Sequence, residues 1–197
     1  MITLIKKGLR EIIKLFYENK NSKFHLREIS RKTKMNENSV FRFLKELEEA
    51  QILTSKKIGN LKQYSVLKNE KTYSLFLMKD IEKYLKIEKI RKKAIDYFIK
   101  DLKKNPEIIL LFGSTAKENY ASESDVDLIL IGENKIDFKN SEEYAESQTG
   151  IKINSRSIRF KDFQKEIKLK EDKTVQAAIS SGYPLSGHLL FYQEILK

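Results

Sequence analysis

Two short apolar runs near the middle of the chain restrict its fold more than any other feature. Glu107-Ile108-Ile109-Leu110-Leu111-Phe112 has the length and apolar density of a buried strand, and Ser124-Asp125-Val126-Asp127-Leu128-Ile129-Leu130-Ile131 begins a second one. The first delivers the chain into Gly113-Ser114-Thr115-Ala116, and about ten residues separate that turn from the second run. Side chains alternate along a strand, so Asp125 and Asp127 project from one face. Two carboxylates a pleat apart can hold divalent cations together.

Chemistry on a nucleoside triphosphate needs such an arrangement. A nucleoside triphosphate brings several negative charges, and attack at its α-phosphorus builds more. Two Mg²⁺ ions about 3.5–4 Å apart lower the pKa of an incoming hydroxyl and stabilise departing pyrophosphate. Asp oxygens match so hard a cation. Gly113 lets backbone approach phosphates with no Cβ in the way, Ser114 offers a hydroxyl, and a helix start beyond them favours anions.

The string FGSTAKENYASESDVDLILI resembles the Gly-Ser, spacer, Ser-Asp-x-Asp-Leu signature of minimal nucleotidyltransferases in the DNA polymerase beta superfamily. The resemblance implies that Gly113 and Ser114 grip the triphosphate and that Asp125 and Asp127 are the catalytic metal ligands, with Ser124 beside them in the nucleotide site. Lys117-Glu118 stands where the family often has Arg-Gly; Lys117 keeps a cation for a phosphate. Downstream, Gly150 to Asn154 resembles the family's next strand, Phe160 to Ile167 its short helix, and Gly182 to Gly187 its usual ending. Active members carry a third carboxylate on the neighbouring strand as general base, but residues 150–158 hold no Asp or Glu, and Asn154 is the nearest equivalent.

The front of the chain carries a different pattern. Ile5, Leu9, Ile12, Ile13 and Phe16 recur at helical spacing, Asn19 to Ser22 break it, and a second helix is expected from Phe24 to Thr33. A third should run from about Asn38 to Ala50, capped by Asn36 or Asn38, with Val40, Phe43, Leu44 and Leu47 inward. Two strands around Gly59-Asn60 then make a hairpin. The string LREISRKTKMNENSVFRFLKELEEAQILTSKKIGNLKQYSV resembles the winged-helix family throughout. The resemblance implies a third helix in the DNA major groove, with Asn38, Ser39 and Arg42 facing bases, and a wing whose Lys56, Lys57 and Lys62 reach phosphates.

Charge agrees with this division. The chain carries +11 overall, and residues 1–68 hold 16 Lys/Arg against 7 Asp/Glu, whereas residues 69–197 hold 23 against 21. A positive field concentrated in the first third attracts polyanions. With no cysteine, disulfides and thiolate zinc sites are excluded. No apolar run reaches the ~18 residues of a membrane span, and the chain reads as a cytoplasmic protein without a targeting segment. His25 and His188 are isolated and read as packing or surface residues.

Between Tyr73 and Leu102 a helical period continues without Gly or Pro until Asn105-Pro106, giving a long linker helix with room for one break. Its apolar stripe needs a partner, which either a homodimer or the flank of the second domain would supply. The expected fold class is α+β: a winged helix-turn-helix over 1–68, a linker helix over 69–104, and a small mixed-sheet nucleotidyltransferase-like domain over 105–197. Two functions follow. One is an Mg²⁺- or Mn²⁺-dependent enzyme moving a nucleoside monophosphate from an NTP to a protein or RNA hydroxyl; relatives often act as antitoxins, which implies a helical toxin partner. The other is a DNA-binding regulator whose second domain senses nucleotide without turnover.

Overall fold

A computed structural model describes residues 6–197; Ile5, the first position of the expected helical stripe, lies outside the described residues. The architecture is α+β, and the chain divides into two units. One comprises the residues up to Lys79 with Leu196 and Lys197, the other Asp80–Ile195.

In the first unit, α1 (Lys7–Glu18) buries Ile12, Ile13 and Phe16. The helix expected from Phe24 starts two residues later. Phe24 and His25 form a short strand, β1, opposite Tyr64 and Gln63, and α2 then spans Leu26–Thr33. The strand wins locally because Phe24 is buried with its ring 5.4 Å from that of Phe16, while Glu28 accepts the His25 N–H and starts the helix behind it. Helix α3 (Glu37–Glu49) is capped by Asn36, whose side chain accepts the Ser39 N–H, and it buries Val40, Phe43, Leu44 and Leu47. The hairpin of β2 (Leu53–Ile58) and β3 (Leu61–Val66) completes a sheet in the order β1-β3-β2, a winged helix-turn-helix. Gly59, at φ +59°, takes the left-handed conformation its turn needs.

The linker is two helices, α4 (Glu70–Lys86) and α5 (Lys89–Asp101), and the division between the units falls within α4. The break comes where Ile87 turns inward and is buried.

The second unit is a four-stranded mixed sheet in the order β6-β5-β4-β7. Strand β4 (Ile108–Phe112) leads into α6 (Gly113–Ala116), a single turn, and runs antiparallel to β5 (Val126–Gly132). Helix α7 (Lys139–Thr149) crosses back so that β6 (Ile153–Arg159) lies parallel to β5. Helices α8 (Phe160–Leu169) and α9 (Lys173–Ser181), strand β7 (Tyr183–Ser186) and α10 (His188–Ile195) finish the chain. Val126, Leu128 and Leu130 pack in one buried cluster with Ala94, Ile95 and Phe98 of α5 and Ala145 of α7. Asp127, Ile129 and Ile131 therefore take the opposite face of the sheet.

Candidate functional site

The site lies where β4 ends and β5 begins. Phe112 and Asp127 are cross-strand partners, so Gly113, the next residue, meets the Asp127 side chain. Gly113 has φ +71°, and a Cβ at this position would collide with the Asp127 carboxylate. Glycine is thus required twice over, by backbone conformation and by space. Asp125 precedes the strand proper, and both carboxylates are half-buried.

On the other side of β5, the parallel register sets Asn154 opposite Asp127, and its amide donates to Asp127 Oδ1 at 3.1 Å. Burial, aided by the negative charge of Asp125, raises the Asp127 carboxyl above its ordinary 3.8, while the Asn154 amide opposes the rise. Two residues earlier on the same face, Lys152 Nζ stands 3.8 Å from Asp125 Oδ2. One cation and one amide therefore accompany the two carboxylates. Among the described residues no group of three or more His, Cys, Asp or Glu side chains gathers to hold a metal.

The remaining expected site residues fall as follows. Ser114 is half-buried within α6, and Lys117 is exposed in the turn after it. A helix of one turn contributes little macrodipole, so any anion there would depend on Ser114 and local N–H groups. Glu118, the negative neighbour of Lys117, is ion-paired with Lys86 at 3.6 Å. The Ser124 hydroxyl accepts the Ala121 N–H at 3.0 Å and so serves its own loop. His188 is partly buried 3.9 Å from Asp80, and burial lowers its pKa, as suits a packing histidine.

The sequence reading placed no site residue in the linker, yet α5 supplies one beside the site. Arg91 is fully buried and bonds to the loop that leads into Asp125: Nη1 donates to the Ser124 carbonyl at 2.7 Å, and Nη2 to those of Ala121 and Ser122 at 2.9 and 3.0 Å. Its guanidinium lies 4.3 Å from the centre of the Tyr120 ring. The signal was present in the sequence. Arg91 stands four residues after Ile87 and four before Ile95, an inward register where an arginine in a Lys-rich helix is out of place.

In the first unit, Asn38, Arg42 and Lys45 are exposed on one face of α3, and Ser39 is partly buried at the cap. Phe41 shares the outward face with 57% of its surface exposed, a residue the sequence reading passed over. Lys56 and Lys57 are on the wing, Lys57 opposite Lys62. Lys62 turns to Glu48 at 2.9 Å and lies over the Tyr64 ring, so it ties the wing to α3.

Residues 92–181 match the family model described as polymerase beta, nucleotidyltransferase. This segment of the second unit is therefore similar to nucleotidyltransferase domains of the polymerase beta type. A comparison with curated proteins finds no match. Similar solved structures include a protein of Archaeoglobus fulgidus at 20% identity, covering 43% of this chain and 94% of that one with a TM-score of 0.37. A toxin–antitoxin complex with AMP-PNP shares 19% identity over 52% of this chain and 82% of that one, TM-score 0.38. A zinc-responsive MarR family member of Lactococcus lactis shares 17% over 51% and 75%, TM-score 0.32. No helix among the described residues is long and apolar enough to cross a membrane.

Proposed function

We propose that the second domain transfers a nucleoside monophosphate from a nucleoside triphosphate to a hydroxyl of a protein or RNA, in a chain whose winged helix binds double-stranded DNA. The observation that carries the first part is the packing of the Asp127 carboxylate against Gly113, with Asp125 near enough for its negative charge to act on Asp127. A hard divalent cation suits these donors: Asp125 and Asp127 offer carboxylate oxygens, and the missing Cβ of Gly113 lets the Asp127 carboxylate lie against the turn that follows β4. When bound, Mg²⁺ or Mn²⁺ offsets triphosphate charge and makes the attacking hydroxyl more acidic.

The chain's own groups have separate tasks. Gly113 brings backbone close to the phosphates, Ser114 donates its hydroxyl, and Lys117, exposed and one turn on, approaches a phosphate oxygen. Asn154 holds the Asp127 carboxylate in one orientation. An amide does not take up a proton at neutral pH, so the proton of the attacking hydroxyl leaves to solvent or to a group of the acceptor. That would make turnover slow.

A second reading is favoured by the same amide and by the charge of the first third: a DNA-binding regulator that holds nucleotide and does not turn it over. One assay separates the two. With α-labelled nucleoside triphosphates and Mg²⁺ or Mn²⁺, an enzyme labels protein or added RNA, and Asp125→Asn with Asp127→Asn abolishes the labelling. Binding without labelling favours the regulator, and labelling that survives the double substitution removes these carboxylates from the chemistry. Expected partners are double-stranded DNA, a nucleoside triphosphate, and either a helical toxin-like protein or a second copy of the chain.

A further inference from the structure

We propose that Arg91 is a positioning residue for Asp125, holding the chain that leads into it by binding that chain's own carbonyl groups. This rests on the reading of Asp125 and Asp127 as cation ligands. A fully buried guanidinium is retained only where its charge and donors are compensated. Here the hydrogen-bonded compensation is almost wholly main-chain: the carbonyls of Ala121, Ser122 and Ser124 take the two terminal nitrogens, and Glu88 comes no nearer to Nε than 3.7 Å. Three carbonyl oxygens converging on one point would repel one another without a cation between them.

A second link reaches the same residue from the other side. The Thr115 hydroxyl lies 3.4 Å from Arg91 Nη1 and 3.4 Å from the Asp125 carbonyl oxygen, accepting from the first and donating to the second. Thr115 belongs to α6, the turn that begins with Gly113. The guanidinium and this hydroxyl together tie the Gly113 turn, the 121–124 loop and Asp125 into one hydrogen-bonded unit. Lysine could not replace the arginine, since an ammonium lacks the planar fork that reaches three carbonyls at once. The family match begins at residue 92, so Arg91 lies just outside the matched segment.

The test uses the full chain. Mn²⁺ affinity is followed by the electron paramagnetic resonance of free Mn²⁺, and amide exchange is read at residues 121–127, for the wild type, Arg91→Lys, Thr115→Val and Phe98→Leu. Phe98 is equally buried on α5, outside the site, and its variant reports loss of packing alone. We expect Arg91→Lys to weaken Mn²⁺ binding about tenfold or more, the scale seen for groups that orient metal ligands, and to speed exchange at Asp125 and Val126. Thr115→Val should do the same by a few fold, and Phe98→Leu should lower the melting temperature with unchanged Mn²⁺ affinity.

A folded Arg91→Lys protein with wild-type affinity and exchange overturns the proposal, as does an equal loss in Phe98→Leu. Should Arg91→Lys not fold, Thr115→Val decides by the same criteria. Wild-type protein that binds no Mn²⁺, or binds it as well after Asp125→Asn with Asp127→Asn, overturns the metal reading and this proposal together. Mn²⁺ binding that needs the carboxylates but ignores Arg91 and Thr115 overturns this proposal alone.

Discussion

Asp127 is pulled in two directions. Burial and the charge of Asp125 favour its neutral form, while the Asn154 amide favours the carboxylate. The folded-state pKa ends above its ordinary value, so protonation is favoured by folding. Ionising this group therefore costs the metal-free protein stability, a cost absent at low pH and present once the pH rises past the folded pKa. Cation binding needs the ionised form. Mn²⁺ affinity should accordingly begin to fall, as pH is lowered, before an ordinary carboxylate with a pKa of 3.8 would titrate. Asn154→Ala removes the opposing hydrogen bond and should move that fall to higher pH. A Mn²⁺ titration at a series of pH values checks both expectations, and coincident curves for wild type and variant would show that the amide does not act on Asp127.

At the scale of elements, the strands that carry the site were legible and the helices that support it were less so. Runs such as Ile108–Phe112 and Val126–Ile131 admit few alternatives, because a strand buried on both faces is apolar at nearly every position. Helix α7 left no comparable trace because its apolar residues are sparse, and α9 and α10, at nine and eight residues, are too short for a helical period to stand out. Phe24 shows the opposite error: its apolar character fitted a helix start, and pairing with Tyr64 made it a strand. Asp125, Asp127 and Gly113 could be found by spacing, whereas the Arg91 clamp spans some 30 residues and required the register of α5 to be taken as a constraint. The winged helix invites a matching test. Arg42→Ala should weaken duplex DNA binding by about 1–3 kcal/mol if it meets a base edge, whereas Lys56→Ala with Lys57→Ala should flatten the salt dependence by about two units of slope. Fluorescence anisotropy across a salt series reads both. An unchanged slope would take the wing off the phosphates.

Over the whole chain, two units carry different charge and different chemistry, and each should answer to its own ligand. A ligand at about 100 times its Kd stabilises the state that binds it by about 2.7 kcal/mol. Nucleoside triphosphate with Mg²⁺ should therefore slow amide exchange in β4, β5 and β6, and duplex DNA should slow it in α3 and the hairpin. Rates that ignore one of the ligands would remove that ligand from the proposed function. The parallel pairing of β5 with β6 also limits how such a chain can change in length. Pleated strands obey parity: a slip of one residue would turn Lys152 and Asn154 to the side of α5 and α7 and bring an odd partner, Ile153 or Ser155, up to Asp127. Insertions can be absorbed at the Gly150 turn, but with the start of β6 held in place an odd number of residues added ahead of Asn154 would turn its amide away from the face that carries Asp127.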